Sequence, residues 1–228
     1  MRQIFLIIIL TSFCIQCFPQ SKMTKREILI ELEKYDKMRN DRRIKEYGDL
    51  LKRLPFDTKV IEFIDSLRKI QVDTIGVFYA RYFGSWSKDS CGSADSPWES
   101  YVQWKKNNSI FHRSIRQFCN NKTLTIKYSA IIDYYNNCPN ELKKEKIIPV
   151  IVNAERNANG EPEIIDSSID HTANYSIFCK QSSDSIQLNF TAYDMDEKEN
   201  IFYNENNATR IKSWFNMIEN QINEIRDK

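Results

Sequence analysis

Apolar side chains recur at helical spacing through the first part of the chain that follows the leader. Thr24 and Glu27 match a capping box, in which each side chain bonds the backbone N–H of the other residue. Three apolar stripes follow, with members about three or four residues apart: Ile28, Leu29, Leu32, Tyr35 and Met38; Ile44, Tyr47, Leu51 and Leu54; and Val60, Ile61, Phe63, Ile64 and Leu67. They predict a helix from Thr24, a second over 41–54 and a third from Thr58.

The pattern changes at Val72, where β-branched and aromatic residues replace the helical stripes. Such runs are typical of strands. Segments of this kind lie at 74–83, 123–128, 147–152, 175–179 and 186–193. The last two are joined by a short polar turn, which predicts a hairpin and a mainly antiparallel sheet of about five strands.

A helical signal lies between the first two predicted strands. Ser96 and Glu99 match a second capping box, with Pro97 at the first helical position. Apolar residues follow on both sides of the Asn107–Asn108 pair. This segment therefore predicts two helices, the second ending at Cys119.

The C-terminal segment, from about Asn207, carries a single apolar stripe. Its members are Ile211, Trp214, Phe215, Ile218, Ile222 and Ile225. Packing on a sheet explains this stripe better than a coiled coil, which needs a longer repeat. The sequence thus predicts an α+β fold: N-terminal helices, then a mainly antiparallel sheet with the C-terminal helix packed on it. We divide it into a helical subdomain at 22–70 and a disulfide-stabilised α+β domain at 71–228.

Residues 1–21 have the features of a secretory signal peptide. Arg2 supplies the positive start, an apolar run extends over 4–15, and the chain becomes highly charged from Lys22. An apolar run of about 12 residues is too short for a membrane-spanning helix, which needs about 20. We therefore predict a protein that is secreted, periplasmic or part of the cell envelope.

Lipid attachment is the alternative fate of the leader. A bacterial lipoprotein signal has a small residue directly before its cysteine, whereas Phe13 precedes Cys14 and Gln16 precedes Cys17. Both cysteines depart from that pattern. We therefore prefer a cleaved leader to a lipoprotein.

Four cysteines follow the leader: Cys91, Cys119, Cys138 and Cys179. An even number of cysteines in an exported chain predicts disulfides, and four cysteines allow three pairings. We expect Cys91–Cys119 and Cys138–Cys179, because a hairpin of the two predicted helices would bring Cys91 and Cys119 together. No CxxC pair lies in this part of the chain, so the spacing of a zinc ribbon is absent.

Charge limits the classes of partner. The chain has 33 basic and 31 acidic residues, which predicts no strong overall field. The basic residues near Arg42 and Arg43 alternate with acidic ones, as on a solvated helix face. We therefore expect an unknown protein or small-molecule partner, no nucleic acid, and membrane contact only through the leader or a lipid anchor.

The common catalytic signatures are missing from the sequence: GxSxG, the P-loop, GxGxxG and HExxH. His112 and Cys119 would share one face of a predicted helix, as half of a metal site or as a Cys–His dyad, but a packed histidine and a bridged cysteine are the simpler interpretation. The acidic run at 194–199 lacks the EF-hand ligand pattern. We expect no catalytic residue, cofactor or metal.

The segment from Gly84 to Pro97 is the best place for a binding site. It is rich in serine, glycine and aspartate, and its candidate binding residues are Trp86, Asp89, Asp95 and Trp98. Tryptophans beside small polar residues suit stacking on a sugar or contact with a peptide. The alternative is a disulfide-tied loop whose tryptophans pack into the core.

Three functions are consistent with these patterns. The first is an exported, non-catalytic binding or interaction protein of the cell envelope or extracellular space. The second is an exported hydrolase that uses serine and aspartate of the loop, with His112 or His171 as the base. The third is a structural envelope protein that self-associates through the C-terminal helix. The absent motifs and balanced charge favour the first.

Overall fold

A computed structural model describes residues 21–47, 56–82, 98–116, 119, 122–167 and 172–226. These residues fall into two compact units, a smaller one from 21–47 and 151–167 and a larger one from the rest. The subdomain predicted at 22–70 is therefore divided between the two units. The predicted α+β class is confirmed.

The smaller unit is a three-stranded antiparallel sheet with one long helix. Its elements are β1 (Ser21–Lys22), α1 (Lys25–Tyr47), β6 (Ile151–Arg156) and β7 (Pro162–Asp166), with strand order β1-β6-β7. Strand β7 was not predicted. Its sequence, with Pro162 first and exposed positions along its length, lacks the apolar run by which the other strands are recognised.

The predicted capping box at the start of α1 is present. Thr24 N donates to Glu27 Oε2 at 2.9 Å, and Glu27 N donates to Thr24 Oγ1 at 3.3 Å. The two helices predicted from Thr24 and over 41–54 form one helix as far as Tyr47. The polar residues at 39–43 do not end it, because no proline or glycine interrupts this stretch.

The larger unit contains a six-stranded antiparallel sheet and six helices among its described residues. The strands are β2 (Thr74–Arg81), β3 (Trp98–Lys106), β4 (Ser109–Arg116), β5 (Leu124–Ile126), β8 (Asn174–Gln181) and β9 (Asp184–Thr191). The helices are α2 (Thr58–Lys69), α3 (Ala130–Asn137), α4 (Pro139–Leu142), α5 (Ala192–Asp196), α6 (Tyr203–Asn207) and α7 (Arg210–Arg226). The strand order is β5-β4-β3-β2-β8-β9.

Helices cover both faces of this sheet. On one face, Val60, Ile64 and Leu67 of α2 pack with a core that includes Ile75 and Val102. On the other face, residues of α3 and α7 pack with side chains of β2, β3 and β8. The predicted apolar stripe of the C-terminal helix is part of this second core, since Ile211, Trp214, Phe215, Ile218 and Ile222 are buried. Helix α7 therefore packs on the sheet, as predicted.

The two helices predicted between Pro97 and Cys119 are wrong. Strands β3 and β4 occupy this segment and form a hairpin whose turn residues, Asn107 and Asn108, have φ values of 50° and 61°. Positive φ at both central residues is what a tight hairpin turn requires, and asparagine tolerates it. The helical signal arose because β3 is buried on both faces and so lacks the alternation of a half-buried strand.

The other strand predictions hold in outline. The hairpin near the C-terminus is β8 and β9, and the strand expected at 123–128 is β5. The strand predicted at 147–152 begins only at Ile151. None of the described helices is both long and apolar enough to cross a membrane.

Close approach of α3 to the sheet depends on Gly76 in β2. A Cβ at this position would lie 2.6 Å from Ile131 Cγ2 and 3.0 Å from Ile132 Cγ1. Ile131 and Ile132 are fully buried, so neither side chain has space to move away. A glycine here lets the helix lie directly against the strand.

We predict that Gly76→Ala lowers the free energy of unfolding by about 1–3 kcal/mol, because the added methyl overpacks the core. Urea unfolding of the variant and the parent protein measures this loss. In an Ile131→Ala background, which removes the nearest atom, Gly76→Ala should cost less than it does alone. Simple additivity of the two substitutions would contradict the proposed clash.

Candidate functional site

The candidate binding residues lie in two different places. Trp86, Asp89 and Asp95 lie outside the described residues. Trp98 is the first residue of β3, is 7% exposed, and stacks on Tyr79 with 5.8 Å between ring centroids. Trp98 is therefore a core residue, and the prediction that it binds a ligand is corrected.

The two ends of the 83–97 segment meet at a polar cluster. Tyr82, which directly precedes the segment, donates from Oη to Glu99 Oε1 at 3.1 Å. Arg116 Nε lies 3.6 Å from Glu99 Oε2, and Arg226 Nη2 also donates to Glu99. We call Tyr82, Glu99, Tyr101, Arg116 and Arg226 the Glu99 cluster. It joins β2, β3, β4 and α7.

Tyr101 completes the cluster on the side of α7. Arg226 donates to Tyr101 Oη, and its guanidinium carbon lies 5.5 Å from the centroid of the Tyr101 ring. Burial, reinforced by the charge of Glu99, raises the pKa of both Tyr82 and Tyr101 above the usual range. Both tyrosines are therefore neutral at physiological pH: Tyr82 donates to Glu99, and Tyr101 accepts from Arg226.

Glu99 is the only carboxylate in this cluster and faces two guanidinium groups. Its side chain is only 12% exposed, so its hydrogen bonds are weakly screened. Such an arrangement fixes the positions of the chain at Tyr82 and Glu99. A segment whose flanking residues are held on a rigid scaffold is a common setting for recognition.

Sequence reasoning missed this cluster, because Glu99 was taken for a helix-capping residue. The available signal was a single acidic residue among the aromatic and apolar residues of 98–104. A carboxylate inside such a strand needs a buried cation. Its partner Arg226 lies 127 residues away, too far for sequence alone to identify it.

A second group of polar side chains is enclosed beneath α3 and α7. Its members are Gln103, His112, Ser114, Ser129 and Gln221, which we call the buried amide network; each is at most 7% exposed. Gln103 Nε2 donates to Gln221 Oε1 at 2.8 Å, and Ser129 Oγ donates to Gln103 Oε1 at 2.5 Å. Gln221 Nε2 in turn donates to the carbonyl of Tyr128 at 2.6 Å. The network connects β3 and β4 to the start of α3 and to the body of α7.

His112 belongs to this network and not to a helix shared with Cys119. Its Nδ1 lies 3.5 Å from Gln103 Nε2, and its Nε2 lies 3.1 Å from Ser114 Oγ. Because Gln103 presents an amide donor, Nδ1 is the acceptor and the proton lies on Nε2. Burial lowers the pKa of His112 to about 4, so the ring is neutral.

This geometry argues against His112 as the base of a hydrolase. The ring is 0% exposed and stacks on Tyr101, 5.8 Å away. No substrate reaches it without opening the core. His171, the other candidate base, lies outside the described residues.

The predicted Cys138–Cys179 disulfide is wrong, because both thiols are free. Cys179 lies within β8 and is completely buried, and burial raises its pKa to about 12. Cys138 lies between α3 and α4, where burial likewise raises its pKa and Sγ donates to the carbonyl of Tyr134. The error arose from assigning every cysteine after the leader to a bridge.

Cys119 is disulfide-bonded. Cys91 lies outside the described residues, so the Cys91–Cys119 pairing remains a prediction. Within the described ranges, no group of three or more histidine, cysteine, aspartate or glutamate side chains is placed to hold a metal.

No protein-family model, curated protein or solved structure matches the chain. The function is therefore inferred from the residues themselves.

We predict that Glu99→Gln lowers the free energy of unfolding by about 1–3 kcal/mol, because it removes the negative charge that two partly buried guanidinium groups face. Thermal or urea unfolding measures the loss. Asp65→Asn is the matched control: it also removes one carboxylate from an ion pair, but Asp65 and Arg68 are 51% and 41% exposed. That variant should cost less than about 0.5 kcal/mol. Equal losses in the two variants would contradict a structural role for the Glu99 cluster.

We also predict that stability falls in mild acid through His112. Its pKa is lowered from 6.5 to about 4 on folding, so between these values the unfolded chain binds a proton that the folded chain does not. Stability is therefore lost as the pH falls from 6.5 towards 4, by up to about 3 kcal/mol. Denaturant unfolding across this range should give a shallower slope for His112→Gln than for the parent protein. His171→Gln separates the contribution of the second histidine, and an unchanged slope in His112→Gln would exclude this mechanism.

Proposed function

We propose that this chain is an exported, non-catalytic binding protein of the cell envelope or extracellular space. The observation that carries the proposal is the fixing of Tyr82 and Glu99 at the two ends of the 83–97 segment. The segment between them contains Trp86, Asp89 and Asp95, side chains suited to stacking and hydrogen bonding with a partner. Binding residues are often carried by segments whose flanking residues are held firmly by a scaffold.

The apolar run near the N-terminus supports export. It has the length of a secretory leader and is followed directly by a charged chain. In this proposal the leader is removed, and lipid attachment through Cys14 or Cys17 is the alternative route to the envelope. A disulfide at Cys119 agrees with an oxidising destination.

The two other functions have weaker support. A hydrolase would have to use His171, because His112 is enclosed in the buried amide network. Self-association through the apolar stripe of the C-terminal helix lacks a surface, because Trp214 and Ile218 of that stripe are buried within the larger unit. Binding through the 83–97 segment conflicts with neither observation.

We predict that the chain, expressed in its source cells with a photo-crosslinking residue at Trp86, is exported without its leader and forms a discrete adduct. Intact mass of the exported chain should show the loss of about 20 residues, and a gel after irradiation should show the adduct. Asp89→Ala and Asp95→Ala should weaken the adduct if the 83–97 segment makes the contacts.

The matched control carries the same crosslinker at Ile165, a β7 residue that is 47% exposed. That position should give no adduct. Retention of the full-length chain in the cytoplasm would contradict export. Hydrolysis of a substrate that is abolished by His171→Gln would favour the enzyme instead.

A further inference from the structure

Arg113, near the middle of β4, forms no ion pair among the described residues, unlike the half-buried Arg116 and Arg156. Its guanidinium carbon lies 4.8 Å from the centroid of the Phe63 ring in α2. Its Nε is buried and has no hydrogen-bond partner among the described residues. The side chain is thus held in place by an aromatic ring rather than by an acceptor.

No carboxylate of the described residues forms an ion pair with Arg113. The comparison with two other arginines is direct: Arg116, 25% exposed, lies beside Glu99, and Arg156, 33% exposed, lies beside Glu27. Nε is the only nitrogen of Arg113 that is both fully buried and without a hydrogen-bond partner. The two terminal nitrogens of a guanidinium form the planar donor pair that fits a carboxylate.

The surroundings of this arginine are aromatic. Phe111, two residues earlier on the same face of β4, stacks on Trp104 with 5.5 Å between centroids, and Phe63 meets Trp104 edge-on at 5.5 Å. Trp104 is almost completely buried, whereas Phe63, Phe111 and Arg113 are each partly exposed. We call these four residues the Arg113 patch. An ion pair formed beside such apolar surface is less hydrated than one on an open surface, and so is stronger.

We propose that the Arg113 patch binds an acidic side chain of a protein partner. The carboxylate accepts from the two terminal nitrogens of Arg113, and an apolar residue next to the acid packs on Phe63 and Phe111. The patch lies at the surface with partly exposed side chains, a setting typical of protein recognition, where arginine and aromatic residues contribute most of the binding energy. This inference rests on the proposed function as a binding protein and assigns a second contact surface to it.

The test is a titration of the isotopically labelled full chain, as exported, with two synthetic peptides followed by NMR. The first peptide is N-acetyl-Phe-Asp-Leu-amide, and the second replaces its aspartate by asparagine. We expect saturable shifts at the Trp104 indole and the Arg113 side chain with the first peptide. The second peptide should bind about fivefold more weakly, the effect of one partly exposed charge pair.

Two variants show whether Arg113 makes the contact. Arg113→Gln should abolish the difference between the peptides, whereas Arg113→Lys, which keeps the charge but loses the planar fork, should reduce it. Arg68→Gln in α2 is the control, because Arg68 already pairs with Asp65. That variant should leave both titrations unchanged. If Arg113→Gln does not fold, as judged by thermal unfolding, the Arg113→Lys comparison decides.

Three results would overturn the proposal: equal affinity for the two peptides, an unchanged difference in Arg113→Lys and Arg113→Gln, or binding of sodium acetate as tight as that of the acidic peptide. The last result would mean that Phe63 and Phe111 contribute nothing to binding and that the Arg113 patch does not recognise a protein. None of these results affects the adduct formed from position 86, so the proposed function would stand. If the chain were not exported, or if no adduct formed, the proposed function would be contradicted. The peptide titration could still be interpreted.

Discussion

Burial of the central strands on both faces is the constraint on which the larger unit depends. In β2, every residue from Ile75 to Ala80 is buried, because α2 covers one face of the sheet and α3 and α7 cover the other. The closest approach of these layers needs Gly76, where any side chain would meet Ile131. The sheet therefore has little freedom to shift against its helices, and groups attached to it are held firmly.

The same constraint determines where the polar residues in these strands find their hydrogen-bond partners. A polar side chain that lies under a helix must find its partners inside the protein. Gln103 and His112 do so within one network that includes Ser129, the N-cap of α3, and closes on Gln221 of α7. Glu99 lies at the edge of the region that the helices cover, and it accepts hydrogen bonds from Tyr82 and from the guanidinium of Arg226. Both sets tie the C-terminal helix to the sheet by specific bonds in addition to its apolar stripe.

Sequence patterns identified most elements and failed where this constraint was strongest. The α+β class, the C-terminal helix, β2 and the hairpin of β8 and β9 were all predictable, because each has a clear apolar period or a polar turn. The hairpin of β3 and β4 was taken for two helices, because burial of β3 on both faces removes the alternation that marks a strand. The two asparagines between them were the better signal, since consecutive positive φ values belong to a hairpin turn.

The candidate sites were less predictable than the fold, since each depends on contacts between distant segments. Arg226 reaches Glu99 across 127 residues, and Arg113 meets Phe63 of a helix that precedes it by more than one strand. What distinguishes the two sites is the balance of charge. In the Glu99 cluster the carboxylate and its cations satisfy one another, so the cluster serves to hold the chain in place. At Arg113 the cation is held by the aromatic ring of Phe63 and lacks an acid among the described residues, and a fixed charge of this kind is more useful to a partner than to the fold.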